Sequence, residues 1–207
     1  MNHLIAFTVT MLTITNPFGA LAIFAGITSD RSGAEKKSIA LKAGFSVAII
    51  LLIVTWGGHL LLKIFGVTPP GLEVAGGVII ALMGLSMLHS KTSEMSHNKA
   101  ESQEAKDKPS IAVVPIAMPI IAGPGAITAV ILATQKFPSF EDKLAISFIC
   151  LSVSVVLWGC LYFASPISRR LGVSGMNVVS RIMGMILTAI AFQMLTSGLK
   201  QLLPGLA

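Results

Sequence analysis

The sequence predicts an all-α integral membrane protein with six membrane-spanning helices, arranged as two inverted three-helix repeats in which helices 1 and 4 are discontinuous. Three observations carry that prediction. The 207 residues are 54% hydrophobic and only 12% charged, whereas roughly a quarter of a soluble domain is charged. The apolar residues gather in six runs, at 4–28, 39–62, 70–89, 111–134, 144–164 and 175–198, each near the roughly 20 residues that cross a bilayer. Proline and glycine recur at the middle of the first and fourth runs.

Taken in order, the first run carries Thr13-Ile14-Thr15-Asn16-Pro17-Phe18-Gly19-Ala20 at its centre. Proline removes a backbone donor and clashes with the preceding turn, and glycine permits unwinding, so the helix should break near the midplane. This run lacks a basic leading region and continues for about 25 residues, so it reads as a retained helix and not a signal peptide. The second run is unbroken, with His59 at its interfacial end. The third opens with Pro69-Pro70-Gly71-Leu72-Glu73, and its Gly76, Gly77 and Gly84, with Gly184 of the sixth, suit close helix packing in lipid. Residues 90–110, rich in Ser, Glu and Lys, cannot bury a core and read as a polar loop. The fourth run contains Pro115-Ile116-Ala117-Met118-Pro119-Ile120-Ile121-Ala122-Gly123-Pro124-Gly125-Ala126, a second midplane break. The fifth and sixth runs are continuous, and Met83, Met87, Met183 and Met185 read as core.

The shift that places Pro17 on Pro124 also places Met11 on Met118, Ile14 on Ile121, Ala22 on Ala129, Gly77 on Gly184, Ile79 on Ile186, Met87 on Met194 and Leu88 on Leu195. Trp56-Gly57 and Trp158-Gly159 correspond at a slightly shorter shift. Residues 1–89 therefore form one repeat and 111–207 the other. A repeat of three spans enters the membrane from the opposite side in its second copy, the inverted arrangement typical of secondary transporters.

Arg31, Lys36, Lys37, Lys42, Lys91, Lys99, Lys106, Lys108, Arg169 and Arg170 fall on one side of such a topology, and only Lys63, Lys136, Lys143 and Lys200 on the other. The positive-inside rule then places both termini outside the cytoplasm and the 90–110 loop inside it. Orientation accounts for the net charge of +6, so no nucleic-acid partner is inferred.

Unwound backbone at membrane depth must be satisfied by protein, water or ligand. The half-helices that start at Asn16–Gly19 and Gly123–Ala126 present amides at positive dipole ends, which suit a carboxylate. Carbonyls freed at 12–15 and 119–122 suit an ammonium group or cation. No Asp, Glu, Lys or Arg lies within about two turns of either break, which favours a small zwitterion. The expected binding residues are Thr13, Thr15, Asn16, Pro17, Phe18, Gly19, Gly123, Pro124, Gly125, Ala126 and Thr128. Arg181, two turns inside the sixth run, is a candidate for gating or coupling, or for anchoring to lipid phosphate. The inversion puts Glu73 and Arg181 on opposite sides, which argues against an ion pair between them.

His3, His59, His89 and His97 are scattered, so no metal is expected. Cys150 and Cys160 lie about 15 Å apart along one helix, too far for a disulfide. No cofactor is implied, and no nucleophile and base share a depth, so enzymatic chemistry is not expected. Three classes remain open: an alternating-access carrier, a channel or facilitator with aquaporin-like paired half-helices, and a membrane assembly or signalling component.

Five motifs in order, Asn16-Pro-Phe-Gly19, Pro69-Pro-Gly-Leu-Glu-Val-Ala-Gly-Gly77, Val114-Pro-Ile-Ala-Met-Pro-Ile-Ile-Ala-Gly-Pro-Gly125, Leu157-Trp-Gly159 and Ser180-Arg-Ile-Met-Gly184, cover nearly the whole chain. Together they resemble the MarC family of bacterial and archaeal membrane proteins, which includes SnatA-type small neutral amino acid transporters. The resemblance implies a multi-pass plasma (inner) membrane carrier for glycine- or alanine-like amino acids. It further implies coupling to a proton or sodium gradient and a substrate held at the two breaks. Membrane lipid and a further copy of the chain complete the expected partners.

Overall fold

In hydrocarbon every backbone amide and carbonyl must be paired within its own segment, so apolar runs of this length fold as helices. The computed structural model describes residues 2–28, 31–89 and 123–206, and among them all regular structure is helical. The helices are α1 (Asn2–Thr15), α2 (Pro17–Ile27), α3 (Gly33–Phe65), α4 (Pro69–His89), α5 (Pro124–Lys136), α6 (Phe140–Tyr162) and α7 (Ala164–Leu202), followed by a short 3-10 turn at Pro204–Leu206. Among the described residues, five stretches are long and apolar enough to cross a bilayer: His3–Leu21, Gly33–Phe65, Pro69–His89, Phe140–Tyr162 and Ser174–Leu202. The expected 90–110 loop and the first part of the fourth run, 111–122, lie outside the described residues. The latter part of that run is α5, 13 residues long.

Two elements differ from the sequence reading. Helix α3 has 33 residues, about 50 Å at 1.5 Å per residue, against a hydrocarbon thickness of about 30 Å. Its first turns therefore project beyond the apolar 39–62 stretch. They are nucleated by a capping box, in which the Ser32 hydroxyl accepts from the Glu35 amide at 3.3 Å and the Ser32 amide donates to the Glu35 carboxylate at 2.8 Å. The second difference lies between the fifth and sixth runs, where helix continues and is interrupted only at Gly172, with φ 63° and ψ −179°. That left-handed φ strongly favours glycine, and it separates a short segment carrying Arg169 and Arg170 from the membrane-length stretch.

The bundle is built from two antiparallel pairs. Helices α4 and α7 approach so closely that a Cβ on Gly84 would lie 2.8 Å from the Gly184 carbonyl oxygen, and one on Gly184 2.8 Å from the Gly84 carbonyl oxygen. Gly77 meets Ala191 and Leu195 along the same seam. Small residues permit this approach in lipid, where association rests on packing. Helices α3 and α6 form the second pair: the Trp56 indole donates to Ser147 Oγ at 3.2 Å, and a Cβ on Gly44 would lie 2.7 Å from Trp158 Cβ. Between the pairs, α5 packs on α3 and α4, and α2 on α6 and α7. Met11, Leu21, Phe24, Leu51, Ile80, Val130, Leu157 and Leu187 fill the interior. The outer faces are equally apolar, with Phe45 67%, Phe148 72% and Val155 60% exposed, as a bilayer-facing surface requires.

Candidate functional site

The interruption of the first run sits at Asn16. Proline disfavours helical backbone in the residue before it, and Pro17 takes the first position of α2, where its missing N–H is no loss. Asn16 accordingly leaves the helix with φ 44°, in a region that asparagine tolerates better than most residues. It is buried, at 8% exposure, and both ends of its amide are used. Oδ1 accepts from the Gly19 amide at 3.1 Å, capping α2. Nδ2 donates to Met87 Sδ of α4 at 3.1 Å.

The first residues of α5 come to the same place. A Cβ on Gly125 would lie 2.7 Å from Ile80 Cγ1 of α4 and 3.2 Å from Ile14 Cγ2, in the last turn of α1. One turn further on, Thr128 presses against Gly76, whose added Cβ would lie 2.9 Å from Thr128 Cβ. Ile14, Asn16, Ile80, Gly123, Gly125, Ala126 and Thr128 are all buried. Of the residues that the sequence selected, Asn16, Gly19, Gly125 and Thr128 thus adjoin one another through α1 and α4. Phe18 and Pro124 are exposed instead, and Arg181 is exposed on α7. The Glu73 to Arg181 ion pair is absent among the described residues; Glu73 accepts from Gln201 Nε2 at 3.1 Å.

Hydrogen bonding makes the two helix starts unlike. At α2, Pro17 has no N–H, Gly19 is capped by Asn16 and Ala20 donates to the Asn16 carbonyl at 3.0 Å. That leaves Phe18 to supply the open amide. At α5, the N-cap is Gly123, which makes no side-chain cap, and Ala126 donates to its carbonyl at 2.9 Å. Among the described residues, the buried Gly125 amide therefore stands at a dipole end without a side-chain acceptor. Thr13 and Thr15 spend their hydroxyl protons on the carbonyls of Val9 at 2.8 Å and Met11 at 2.7 Å, so toward a ligand they offer lone pairs only. The Thr13 carbonyl accepts from the Asn16 amide at 3.2 Å, and it is correspondingly less free than an interrupted helix suggests.

Sequence reasoning treated Met87 as core and passed over Ile80, although both lie against the cluster; a partner so distant in sequence leaves no local signal. Among the described residues no three His, Cys, Asp or Glu side chains converge as a metal site.

Bilayer-length apolar helices with apolar outer faces, packed through glycine seams, define a multi-pass helical membrane protein. The chain belongs to the MarC family: residues 1–203 match the family described as MarC family integral membrane protein. It is 34% identical to UPF0056 membrane protein BU267 of Buchnera aphidicola subsp. Acyrthosiphon pisum, over 98% of this chain and 94% of that one. It is 35% identical to UPF0056 inner membrane protein MarC of Salmonella paratyphi A, over 94% and 93%, and 33% identical to UPF0056 membrane protein YhcE of Escherichia coli, over 97% and 93%. No solved structure matches the chain.

Proposed function

We propose that the protein is a secondary carrier of small neutral amino acids, glycine- or alanine-like, working by alternating access in the inner membrane and coupled to a proton or sodium gradient. The observation that carries this reading is the buried meeting of the Asn16 interruption with the uncapped start of α5. Among the described residues that cluster contains no charged side chain. A zwitterion fits such a place, because its carboxylate is met by the Gly125 amide and the positive end of α5. Its ammonium is met by the lone pairs of Thr13, Thr15 and Thr128 and by carbonyls at the end of α1.

On this reading the chain has six spans in two inverted halves, helices 1 and 4 both being discontinuous. The packing supports it. Under the shift that places Pro17 on Pro124, the contact of Gly77 with Ala191 and Leu195 becomes that of Gly184 with Gly84 and Leu88, and both are present. The packing of α5 on α3 and α4 likewise becomes that of α2 on α6 and α7. Rocking of one half against the other around the fixed cluster would expose it alternately to the two sides.

Purified protein in proteoliposomes should accumulate labelled glycine or alanine saturably against its gradient when a proton or sodium gradient is imposed. Gly125→Val, which drives bulk against Ile80 and Ile14, should abolish uptake. Rapid equilibration of water or glycerol without accumulation would make the protein a facilitator, and unchanged amino acid uptake by Gly125→Val would remove the site.

A further inference from the structure

A recess with several polar residues in its lining lies at the opposite end of α5. It is a partly open cavity of about 140 Å³ lined by Thr55, His59, Thr134, Gln135, Pro138 and Lys143. With a water taking about 30 Å³, it has room for a handful of heavy atoms. Its lining is chemically two-sided. Lys143 brings a positive charge, its Nζ lying 6.0 Å from the centre of the Trp56 ring. The Gln135 amide donates to His59 Nδ1 at 2.8 Å, which leaves the opposite ring nitrogen as a donor and the Gln135 carbonyl oxygen as an acceptor. Thr55 and Thr134 donate their hydroxyl protons to the Leu51 carbonyl at 2.7 Å and the Ile131 carbonyl at 2.8 Å, so either can offer a ligand only lone pairs; Cys150 Sγ also lies 4.0 Å from the Thr55 oxygen. Of the nearby carboxylates, Asp142 accepts from the Ser139 hydroxyl at 2.6 Å, and Glu141 is exposed.

The recess and the buried cluster lie toward opposite ends of α5. Thr128, Ile131 and Thr134 follow at three-residue spacing, each neighbouring the next on the helix surface, and Ile131 is 4% exposed. Ile131 presses on α3 at Gly58, where an added Cβ would lie 2.7 Å from Ile131 Cγ1. One apolar side chain thus stands between the two polar places, about 9 Å apart along the helix.

We propose that this recess is a vestibule site for the same class of solute. It takes a small amino acid with the carboxylate on Lys143 and the ammonium on the lone pairs of Thr55 and Thr134, before the solute passes Ile131. The site rests on the transport reading for the identity of its ligand and on its own geometry for everything else. Trp56 reports on it directly, because the chain has two tryptophans and Trp158→Phe leaves Trp56 alone beside Lys143.

Emission of that single-tryptophan protein in nanodiscs should change saturably with glycine. Sodium acetate and methylammonium chloride, each half of the zwitterion, should bind at least tenfold more weakly. Lys143→Met should weaken glycine binding at least tenfold, Thr134→Val should weaken it several-fold and Lys143→Arg should largely restore it. A change with glycine that Lys143→Met leaves intact, or no saturable change at all, overturns the vestibule; acetate binding as tightly as glycine overturns the ammonium half. Should Lys143→Met fail to fold, Thr134→Val and Lys143→Arg carry the same comparison. Uptake measured on the same preparations separates the two readings: uptake without the Trp56 signal removes the vestibule alone, and the signal without uptake removes transport alone.

Discussion

Gly84→Ala tests the seam between α4 and α7. The added carbon would sit 2.8 Å from both the Gly184 carbonyl oxygen and the Thr188 amide nitrogen, whereas optimal heavy-atom separations are about 3.5–4.0 Å. Both obstacles are backbone, so no rotamer change relieves them and α4 must part from α7 by roughly 0.7–1 Å to restore ordinary contact. Overpacking costs about 1–3 kcal/mol, and a clash with two backbone atoms belongs at the upper end, about 3 kcal/mol. Gly57→Ala is the matched control, because an added Cβ there meets nothing within 4 Å; it should gain up to about 1 kcal/mol from helix propensity. The two substitutions are chemically identical, so the propensity gain is common to both and equilibrium unfolding in bicelles or nanodiscs should separate them by about 3 kcal/mol, the cost of the clash. Gly84→Ala combined with Gly184→Ala should cost less than the sum of the single changes, because the first has already opened the seam. Equal stabilities for Gly84→Ala and Gly57→Ala would refute the close approach and, with it, the packing that supports the inverted halves.

Two further outcomes follow from the geometry. Asn16→Ala should lose about 1 kcal/mol for the cap and a fraction of the roughly 1–2 kcal/mol left-handed cost, which asparagine bears better than alanine, read as a lowered unfolding midpoint. Asn16→Gly should keep stability within a few tenths of a kcal/mol of the native cap yet alter glycine uptake, because the Met87 contact is gone in both variants. Outside the membrane, the Glu35 carboxyl is held below the usual carboxylate value, first by the Ser32 amide, then by the Ser32 hydroxyl and by Arg31. A depressed pKa gives stability that is present above the unfolded value and lost as pH falls through the folded one. Hydrogen exchange at the first turn of α3, corrected for its intrinsic rate, should therefore accelerate on acidification below the carboxylate range and not between about pH 6 and 8.

Five membrane-length stretches among the described residues were legible because hydrophobicity is a property of composition along a window, and the departure from helix at Asn16 because proline acts on its immediate neighbour. The projecting turns of α3 were encoded as well, in the spacing of Ser32 and Glu35, but a reading that follows apolar runs stops at residue 39. Gly172 shows the opposite limit: next to Arg169 and Arg170 it looks like a loop, and only the continuity of helix on both sides reveals a single left-handed residue in a longer element. Contacts such as Asn16 with Met87, or His59 with Gln135, join helices distant in sequence and depend on helix rotation, which composition leaves open. The sequence equated Pro17 with Pro124 and offered Asn16 as a cap, which the bond from the Gly19 amide at 3.1 Å bears out, but the glycine before Pro124 has no side chain to do the same, and there the two helix starts differ.

That difference sets the orientation of the proposed substrate. With equivalent ends, an inverted pair would accept a zwitterion equally well in either direction. Asn16 removes the equivalence by capping α2 with its own side chain, while Gly123 makes no side-chain cap and leaves α5 uncapped among the described residues. Gly123→Ser supplies the missing acceptor: φ −55° and ψ 173° at this position suit an N-cap serine, whose hydroxyl can accept from the α5 amides. The variant should therefore be as stable as the parent, or more stable by a few tenths of a kcal/mol, and should lose glycine uptake because the serine oxygen occupies the carboxylate's place. Gains of this kind at a functional cost are expected where a binding site is kept unsatisfied. Undiminished uptake by the Gly123→Ser protein, with its new cap confirmed by slowed exchange of the Gly125 amide, would show that the carboxylate is bound elsewhere.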